Sequence, residues 1–429
     1  MTVPMIGGIL SIMSMNIVDT FYIAQLGTQP LAAMSFTMPV ISVLLSLAFG
    51  IGIGASSVIS RAIGAKQQIL VQAYTSNALI IALVVAVLFA VSGYLWMDEI
   101  FSRLGAPSEL MPDIHLFMDI WFLGSFVVVI PMVGNSAIRA AGNTKLPSLV
   151  MLSVAIVNMI LDPILIFGLL GFPALGLEGA ALATVISYAI ALVIGLYLLI
   201  YKFNFLSVHA CISRMYASWK AILRIALPAT GTNLIAPLSV ALTTWFVARY
   251  SPEAVAGFGV ASRIESLFLV VIMGLSSIMG PFVGQNWGAQ NYQRAFLGIK
   301  ISLKFITLWG IFTTLILWFF SEGIASWFSD DNQVIESAAY YLRILPVSYL
   351  FLGAIMVISS AANGMGSALP SLIMSFARLI GLYLPLILVL SMFMSLSGIY
   401  LAASISNVLV GLGAFIWYKQ LKHKQLYSN

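Results

Sequence analysis

The sequence has few charged residues and almost no cysteine. Only 19 basic and 14 acidic residues occur among 429, about 8% of the chain, whereas a soluble domain carries roughly 25%. Because 61% of the residues are apolar and the mean hydropathy is +1.06, too little polar surface remains to cover a soluble fold of this length. The single cysteine, Cys211, excludes intrachain disulfides and cysteine-based metal sites. The composition therefore indicates an integral membrane protein.

The sequence also lacks the features of a nucleic-acid-binding protein or an enzyme. Its net charge of +5 is modest, and the basic residues lie between apolar runs, without a patch of interleaved aromatics, so we expect no nucleic-acid partner. Its three histidines fall in predicted loops or near the termini, and no HExxH or GxSxG stands in an apolar run. An intramembrane aspartyl hydrolase is the remaining enzymatic alternative. It fits poorly, because the aspartates at membrane depth lie in no recognisable catalytic motif.

Apolar runs long enough to cross a bilayer occupy most of the chain. A transmembrane helix needs roughly 20 predominantly apolar residues, and we divide the sequence into twelve such runs. Barrel strands, with about ten alternating residues each, are a poor alternative. The predicted spans are residues 1–25, 31–59, 76–97, 116–137, 147–170, 178–201, 221–248, 255–283, 296–320, 341–362, 370–394 and 398–418. The predicted fold class is an all-α integral membrane protein.

The charges between the spans predict the orientation of the chain. If the first residues are cytoplasmic, 15 of the 19 basic residues fall on the cytoplasmic side, Arg378 among them, and 11 of the 14 acids fall on the other side. This is the positive-inside distribution, so we expect both termini in the cytoplasm. No cleavable signal peptide is expected, because the first apolar run starts at once without a preceding basic segment.

The sequence contains an internal duplication. The segment "LPSLVM" from Leu146 recurs as "LPSLIM" from Leu369, a shift of 223, and "GAALATVIS" from Gly179 matches "GIYLAASIS" from Gly398, a shift of 219. A period of about 220 residues indicates a duplication and not a solenoid. It predicts two six-helix lobes related by a pseudo-two-fold axis along the membrane normal, with a cleft between them, as in many secondary transporters.

The duplication also predicts where the domains begin and end. We expect a first lobe over residues 1–201 and a second lobe over residues 221–429. The segment 202–220 between them is polar and basic, and we interpret it as a cytoplasmic linker.

Three acidic residues lie at membrane depth: Asp19, Asp162 and Glu265. An ionised carboxylate at mid-bilayer costs roughly 2.5 to 3.5 kcal/mol, so such residues are functional candidates. Burial disfavours the charged form of a carboxyl group, which suits a group that binds and releases protons. Asn158 lies four residues before Asp162 and shares its helix face. Carboxylate and amide oxygens also suit a hard cation, so these residues alone leave H+ and Na+ open.

Four segments together resemble one known family, the multidrug and toxic compound extrusion (MATE) transporters. They are, in order, "VPMIGGILSIMSMNIVDTFYIAQLG", "IRAAGNTKLPSLVM", "NMILDP" and "GLEGAALATVIS". The resemblance covers essentially the whole chain and is closest to the branch of DNA-damage-inducible protein F. It implies an antiporter that exports bulky, often cationic organic compounds against H+ or Na+ entry by alternating access. It also implies the bacterial inner membrane, no cofactor beyond the coupling ion, and small-molecule and lipid partners; we expect a monomer.

The resemblance extends to a pocket in the first lobe. Asn135 on the fourth helix lies in the position that matches the family, and Thr184 on the sixth can converge with Asp19, Asn158 and Asp162. Asn16, one turn from Asp19, is a further candidate. Na+-coupled members of one branch keep acidic residues in helices 7 and 10. In this sequence helix 7 and the core of helix 10 contain no acidic residue. We therefore place the coupling site in the first lobe and favour H+, with Na+ as the second candidate.

Three further residues are candidates for a hinge or for the lining of the cleft. Pro4 matches a family proline in helix 1, and we consider it as a hinge that bends when Asp19 is protonated; simply starting the helix is an equal alternative. Arg263 and Glu265 are candidates for lining the cleft or pairing with other polar groups. The rival function is a lipid-linked sugar or oligosaccharide flippase of the same superfamily. A flippase is expected to carry several basic cleft residues, and here Arg263 is the chief one.

Overall fold

The computed structural model describes residues 2–427, and every regular element in that range is helical. Met1, Ser428 and Asn429, at the outer ends of the two predicted lobes, lie outside the described residues. The α-helices are α1 (Thr2–Ala24), α2 (Thr28–Gly64), α3 (Gln68–Leu95), α4 (Met97–Arg103), α5 (Met111–Ala140), α6 (Lys145–Phe167), α7 (Leu177–Tyr197), α8 (Val208–Ser213), α9 (Met215–Val247), α10 (Pro252–Gly288), α11 (Tyr292–Ala325), α12 (Asn332–Ile344), α13 (Tyr349–Gly364), α14 (Leu369–Phe376) and α15 (Leu384–Tyr427). Short 3-10 helices cover Ser108–Leu110, Leu169–Gly171 and Leu345–Ser348, and π-helices cover Leu198–Lys202 and Ala377–Tyr383. Helices satisfy every backbone hydrogen bond internally, which a lipid-embedded chain requires.

The prediction of twelve spans is confirmed, because the last of eleven long helical stretches contains two of them. Eleven helical stretches among the described residues are long and apolar enough to cross a membrane, and the last of them runs over 58 residues, Leu369–Leu426. A straight helix of that length measures roughly 87 Å, far more than the hydrocarbon core of about 30 Å. It is interrupted at Ser395, where φ is 51° and ψ is −132°. A Cβ added to Gly398 would collide with the carbonyl oxygen of Leu390, so the chain reverses here and forms two spans.

The chain folds into two compact units, Met1–Thr230 and Gly231–Asn429. In the first unit α5 packs against α2, α3 and α7, while α1 packs chiefly against α6. In the second unit α10 packs against α11, α12 and α13, and α15 packs against α13. Both cores are built of apolar side chains, as expected for helices that bury residues against each other inside a bilayer.

The sequence repeat reappears as a packing detail in both units. A Cβ at Gly179 would lie 2.5 Å from the carbonyl oxygen of Leu165, and one at Gly398 would meet the carbonyl of Leu390 in the same way. Since Gly179 and Gly398 are equivalent in the duplication, each unit needs glycine where this helix passes close to the preceding one.

The predicted linker, residues 202–220, is attached to the first unit. The carbonyl oxygen of Asn204 accepts hydrogen bonds from the side-chain amides of Gln68 and Gln72, at 3.1 and 3.2 Å. Asn77, fully buried on α3, donates to the carbonyl of Cys211 at 3.1 Å and accepts from the indole of Trp219 at 3.0 Å. The segment predicted as a linker therefore packs on α3 along much of its length.

Candidate functional site

Asp19 is positioned by the packing of α1 on α6. A Cβ at Gly8 would lie 3.1 Å from the Cα of Ser148, and the Ser148 hydroxyl contacts the Met5 sulfur at 3.6 Å. The two helices therefore touch closely near their starts. Asp19 lies eleven residues further along α1, roughly 16 Å away, and its side chain is 9% exposed. It faces the same part of the unit as the polar residues of α6.

Asp162 is the centre of a buried hydrogen-bonded group on α6 and α7. Its Oδ1 accepts from the side-chain amide of Asn158 at 3.1 Å, and the same amide nitrogen donates to the hydroxyl of Thr184 at 3.4 Å. Asp162 and Asn158 are fully buried, and Thr184 is 8% exposed. The close approach of α7 to α6 at Gly179 brings Thr184 within reach. The structure therefore brings the side chains of Asn158, Asp162 and Thr184 together.

Asp19 belongs to the same site, because its carboxyl group interacts electrostatically with that of Asp162. Four buried oxygens of the predicted site residues have no hydrogen-bond partner among the described residues: Asp19 Oδ1, Asn135 Oδ1, Asn158 Oδ1 and Asp162 Oδ2. A buried polar atom without a partner costs about 1 to 3 kcal/mol, so native interiors keep such atoms for a reason.

The atoms of the site that could bind a proton or a cation are oxygens: two carboxylates, one amide carbonyl and one hydroxyl. Carboxylates in a desolvated, like-charged pair readily hold a proton, and oxygen donors of this kind also suit a hard cation. In the part of the chain that the structure describes, no three His, Cys, Asp or Glu residues stand together as a metal site. The chemistry of the donors therefore fits a proton or an alkali cation better than a transition metal.

The remaining first-unit candidates are Asn135, Asn16 and Pro4, and among the described residues none of them is hydrogen-bonded to this group. Asn135 is buried on α5 at 8% exposure. Asn16 is exposed on α1, and it is its backbone carbonyl that accepts from the Thr20 hydroxyl at 2.8 Å. Pro4 lies in the first turn of α1, where no helical hydrogen bond is interrupted. The hinge hypothesis for Pro4 and the pocket role of Asn16 stay predictions.

Arg263 and Glu265 separate onto different sides of α10. Arg263 is exposed, whereas Glu265 points into the second unit and accepts a hydrogen bond from the Tyr341 hydroxyl at 2.6 Å. Arg378, which the charge pattern assigns to the cytoplasmic side, lies in the π-helix Ala377–Tyr383 and donates to Asn407 Oδ1 at 3.3 Å. The sequence analysis missed these partners of Glu265. A signal was present, since tyrosines in the middle of apolar spans need a hydrogen-bond partner when buried.

Comparison with known proteins places the chain among membrane transporters. The MatE family model matches it twice, over residues 4–164 and 228–389, as the duplication predicts. A protein of Shewanella oneidensis named FAD transporter is 39% identical over 416 residues, covering 97% of this chain and 92% of the relative. A probable multidrug resistance protein of Bacillus subtilis, YoeA, is 28% identical and covers 92% of this chain and 88% of its own length.

Solved structures agree with these relatives. The Vibrio cholerae MATE transporter VcmN in its bent form superposes with a TM-score of 0.93 at 30% identity, over 99% of this chain and 96% of that one. A MOP superfamily transporter of Pyrococcus furiosus, described as having a binding pocket of reverse polarity, superposes with a TM-score of 0.89 at 26% identity, over 99% and 95% of the two chains. By the double family match and the resemblance along its whole length, the chain belongs to the MATE family of membrane transporters, which are not enzymes.

Proposed function

We propose that this protein is a secondary active exporter that drives bulky organic compounds out of the cell by coupled entry of protons. The observation that carries the proposal is the group of Asp19, Asn158, Asp162 and Thr184, with buried oxygens that no described donor satisfies. Protonation of either carboxylate would change which hydrogen bonds this group makes. Such a two-state group, shared by α1, α6 and α7, is the kind of element that couples ion binding to a conformational change.

The energetics suit an antiporter. One proton that enters across 100 mV releases about 2.3 kcal/mol, enough for a substrate gradient of more than tenfold. The balance of basic residues between the spans supports both termini in the cytoplasm and hence an inner-membrane protein of the predicted orientation. Na+ remains the second candidate ion, because the same oxygens suit it.

Two substrate classes are supported by the relatives. Several are named multidrug resistance or multidrug export proteins, which favours cationic drug-like compounds such as ethidium. The 39% identity over 97% of the chain to a protein named FAD transporter favours a flavin dinucleotide, which carries an anionic pyrophosphate. We propose that the flavin dinucleotide is a substrate in its own right and is tested beside ethidium.

The test is efflux from proteoliposomes that contain the purified protein. Ethidium and FAD are loaded separately, and an imposed pH gradient or, in parallel vesicles, a Na+ gradient drives transport. The wild type is compared with Asp19→Asn and Asp162→Asn, which keep the side-chain volume and remove the charge. Glu322→Gln is the matched control, because that exposed carboxylate pairs with Arg343 at 2.7 Å.

We expect efflux to follow the pH gradient and to fall at least tenfold in both aspartate variants but not in the control. Efflux that follows only the Na+ gradient would reassign the same site to a cation. Efflux of FAD without ethidium would narrow the substrate to anionic dinucleotides. If folded protein exports neither ethidium nor FAD under either gradient, the proposal is contradicted and a lipid-linked substrate is favoured.

A further inference from the structure

A second cluster of polar side chains, buried and half-buried, lies in the unit that lacks the site described above. Its centre is Glu265 on α10, whose Oε2 accepts the hydrogen bond from Tyr341 at 2.6 Å. The hydroxyl of Tyr349, on α13, interacts electrostatically with the same carboxyl group. Tyr341 and Tyr349 are 5% and 1% exposed, so the carboxyl group sits between two desolvated phenols.

A guanidinium group faces this carboxyl from another helix. Arg378, in the π-helix Ala377–Tyr383, interacts electrostatically with Glu265 and donates through Nη1 to Asn407 Oδ1 at 3.3 Å. Asn407 in turn donates to the Ser348 hydroxyl at 2.9 Å. Within residues 2–427, the ion pairs in contact involve other residues. The charge of Glu265 is therefore balanced by Arg378 at a distance, without a direct ion pair.

The helices are irregular at the residues that build the cluster. The π-helix positions Arg378 and Tyr383, and the hydroxyl of Tyr383 hydrogen-bonds to Thr243 on α9 at 2.7 Å. The 3-10 segment Leu345–Ser348 lies between Tyr341 and Tyr349. Irregular turns of this kind within helices are frequent at functional sites. Both irregularities turn polar side chains toward the same carboxyl group.

The duplication strengthens the comparison with the first unit. The helical run that begins at Leu369 is the repeat of α6, which begins at Lys145 and carries Asp162. By the shift of 223, Arg378 in this run matches Ala155, about two turns before the position of Asp162, and the carboxylate of the second unit comes from α10 instead. Each unit therefore has an ionisable side chain on this helical run, Asp162 in the first and Arg378 in the second, with different partners.

Charge decides which ligand the cluster can take. With its carboxyl group ionised, Glu265 balances Arg378; with a proton bound, the cluster carries one positive charge. Arg378 opposes the binding of any cation, but a proton forms a covalent bond to a single carboxyl oxygen, whereas a metal ion needs several oxygen ligands around it. The hydroxyls of Tyr349 and Tyr400 are buried without a partner among the described residues, and Tyr400 packs edge-on against Tyr341 at 4.9 Å. They are available to rearrange hydrogen bonds when the carboxyl group gains or loses its proton.

We infer that Glu265 is a second proton-binding site, in the second unit and separate from the pair Asp19 and Asp162. The groups that face it are Tyr341, Tyr349 and Arg378, with Tyr383 and Tyr400 behind them. This site does not depend on which compound the protein transports, nor on whether the first-unit site takes H+ or Na+.

The test reads protonation directly, without transport. Infrared difference spectra of the protein in lipid are recorded between pH 5 and pH 9 in an Asp19→Asn, Asp162→Asn background, which silences the first-unit site. We expect a pH-dependent band of a buried carboxylic acid that Glu265→Gln removes and Glu265→Asp retains with a changed midpoint. Glu322→Gln, at an exposed ion pair, is the matched control and should leave the band unchanged.

Tyr341→Phe provides a second, independent arm, because it keeps the carboxyl group and removes its hydrogen-bond donor. Its band should persist with a changed midpoint, since the donor interacts differently with the charged and the neutral carboxyl group. The inference is overturned if the double-aspartate background shows no such band, or if the band survives Glu265→Gln. Should Glu265→Gln fail to fold, an unchanged midpoint in folded Tyr341→Phe overturns it equally.

Discussion

At the scale of single residues, Asn158 holds the first-unit site together. Its amide nitrogen donates to both Asp162 and Thr184, at 3.1 and 3.4 Å, while its Oδ1 is buried without a partner among the described residues. The two hydrogen bonds differ in strength, because the one to a carboxylate is charge-assisted and shorter than the one to a hydroxyl. Loss of the bond to Asp162 is therefore expected to affect transport more than loss of the bond to Thr184.

Asn158→Ala is expected to lower the initial rate of gradient-driven efflux by roughly tenfold or more. The substitution removes a hydrogen bond to a charged group, worth about 1.5 to 3 kcal/mol, and leaves Asp162 Oδ1 without its donor. Thr184→Val removes only the longer bond and keeps the side-chain shape, so its rate should stay within about threefold of the wild type. Rates in proteoliposomes at matched protein content measure both. Equal losses in the two variants would contradict the central role of Asn158.

At the scale of the element, the approach of α7 to α6 sets the geometry of the site. Gly179 leaves only 2.5 Å between an added Cβ and the carbonyl oxygen of Leu165, whereas Gly195 in the same helix has nothing within 4 Å of its added Cβ. The backbone of α6 has no flexible end that moves aside. A methyl group at Gly179 must therefore push the two helices apart.

Gly179→Ala is expected to destabilise the protein by about 1 to 3 kcal/mol, the usual cost of overpacking. Gly195→Ala makes the same chemical change in the same helix and should be neutral or slightly stabilising, because alanine favours helices over glycine. Thermal denaturation in detergent, followed by gel filtration of the surviving monodisperse protein, measures both. A Gly179→Ala variant as stable as Gly195→Ala would show that the close approach is not retained in solution.

The linker element carries the only cysteine of the chain, which makes its attachment measurable. Cys211 is buried at 5% exposure in α8, and burial raises the pKa of its thiol. Maleimides react with the thiolate, so a raised pKa means less reactive thiolate at pH 7. Its labelling rate should keep rising with pH beyond the point, about 8.5, at which a free cysteine levels off.

Asn77→Ala should speed the labelling of Cys211 by at least tenfold and shift its pH profile toward that of a free thiol. The variant loses the bonds to Cys211 and Trp219, each worth about 1 kcal/mol, so α8 opens more often. Asn291→Ala, which removes the cap of α11 in the other unit, is the control and should label like the wild type. Equal labelling of all three proteins would show that Asn77 does not hold the linker.

At the scale of the whole molecule, the sequence predicted what the bilayer dictates. The spans were predictable because each needs an apolar run long enough to cross the hydrocarbon core. The two units were predictable because "LPSLVM" recurs as "LPSLIM". In the site, the pair Asn158 and Asp162 was predictable because both lie on one helix at a fixed spacing. The partners of Glu265 were not, because Tyr341 is 76 residues away and Arg378 enters the cluster through a π-helix that hydropathy does not reveal.

The reversal at Ser395 decides the topology of the entire chain. If Leu369–Leu426 formed one span, the count would be eleven and the two termini would lie on opposite sides of the membrane. The contact of Gly398 with the carbonyl of Leu390 and the bond from Arg378 to Asn407 both require an antiparallel pair. In a straight helix, residues 378 and 407 would stand roughly 43 Å apart.

Reporter fusions should therefore show both termini on the cytoplasmic side. Green fluorescent protein at either terminus is expected to fluoresce, and alkaline phosphatase fused after Ser395 is expected to be active, because that turn faces the periplasm. The basic residues Lys419, Lys422 and Lys424 favour the same side for the end of the chain. A fluorescent fusion at the N-terminus together with an active phosphatase fusion at the C-terminus would place the termini on opposite sides. That result would contradict the reversal, and with it the twelve-span fold in which Arg378 reaches Glu265.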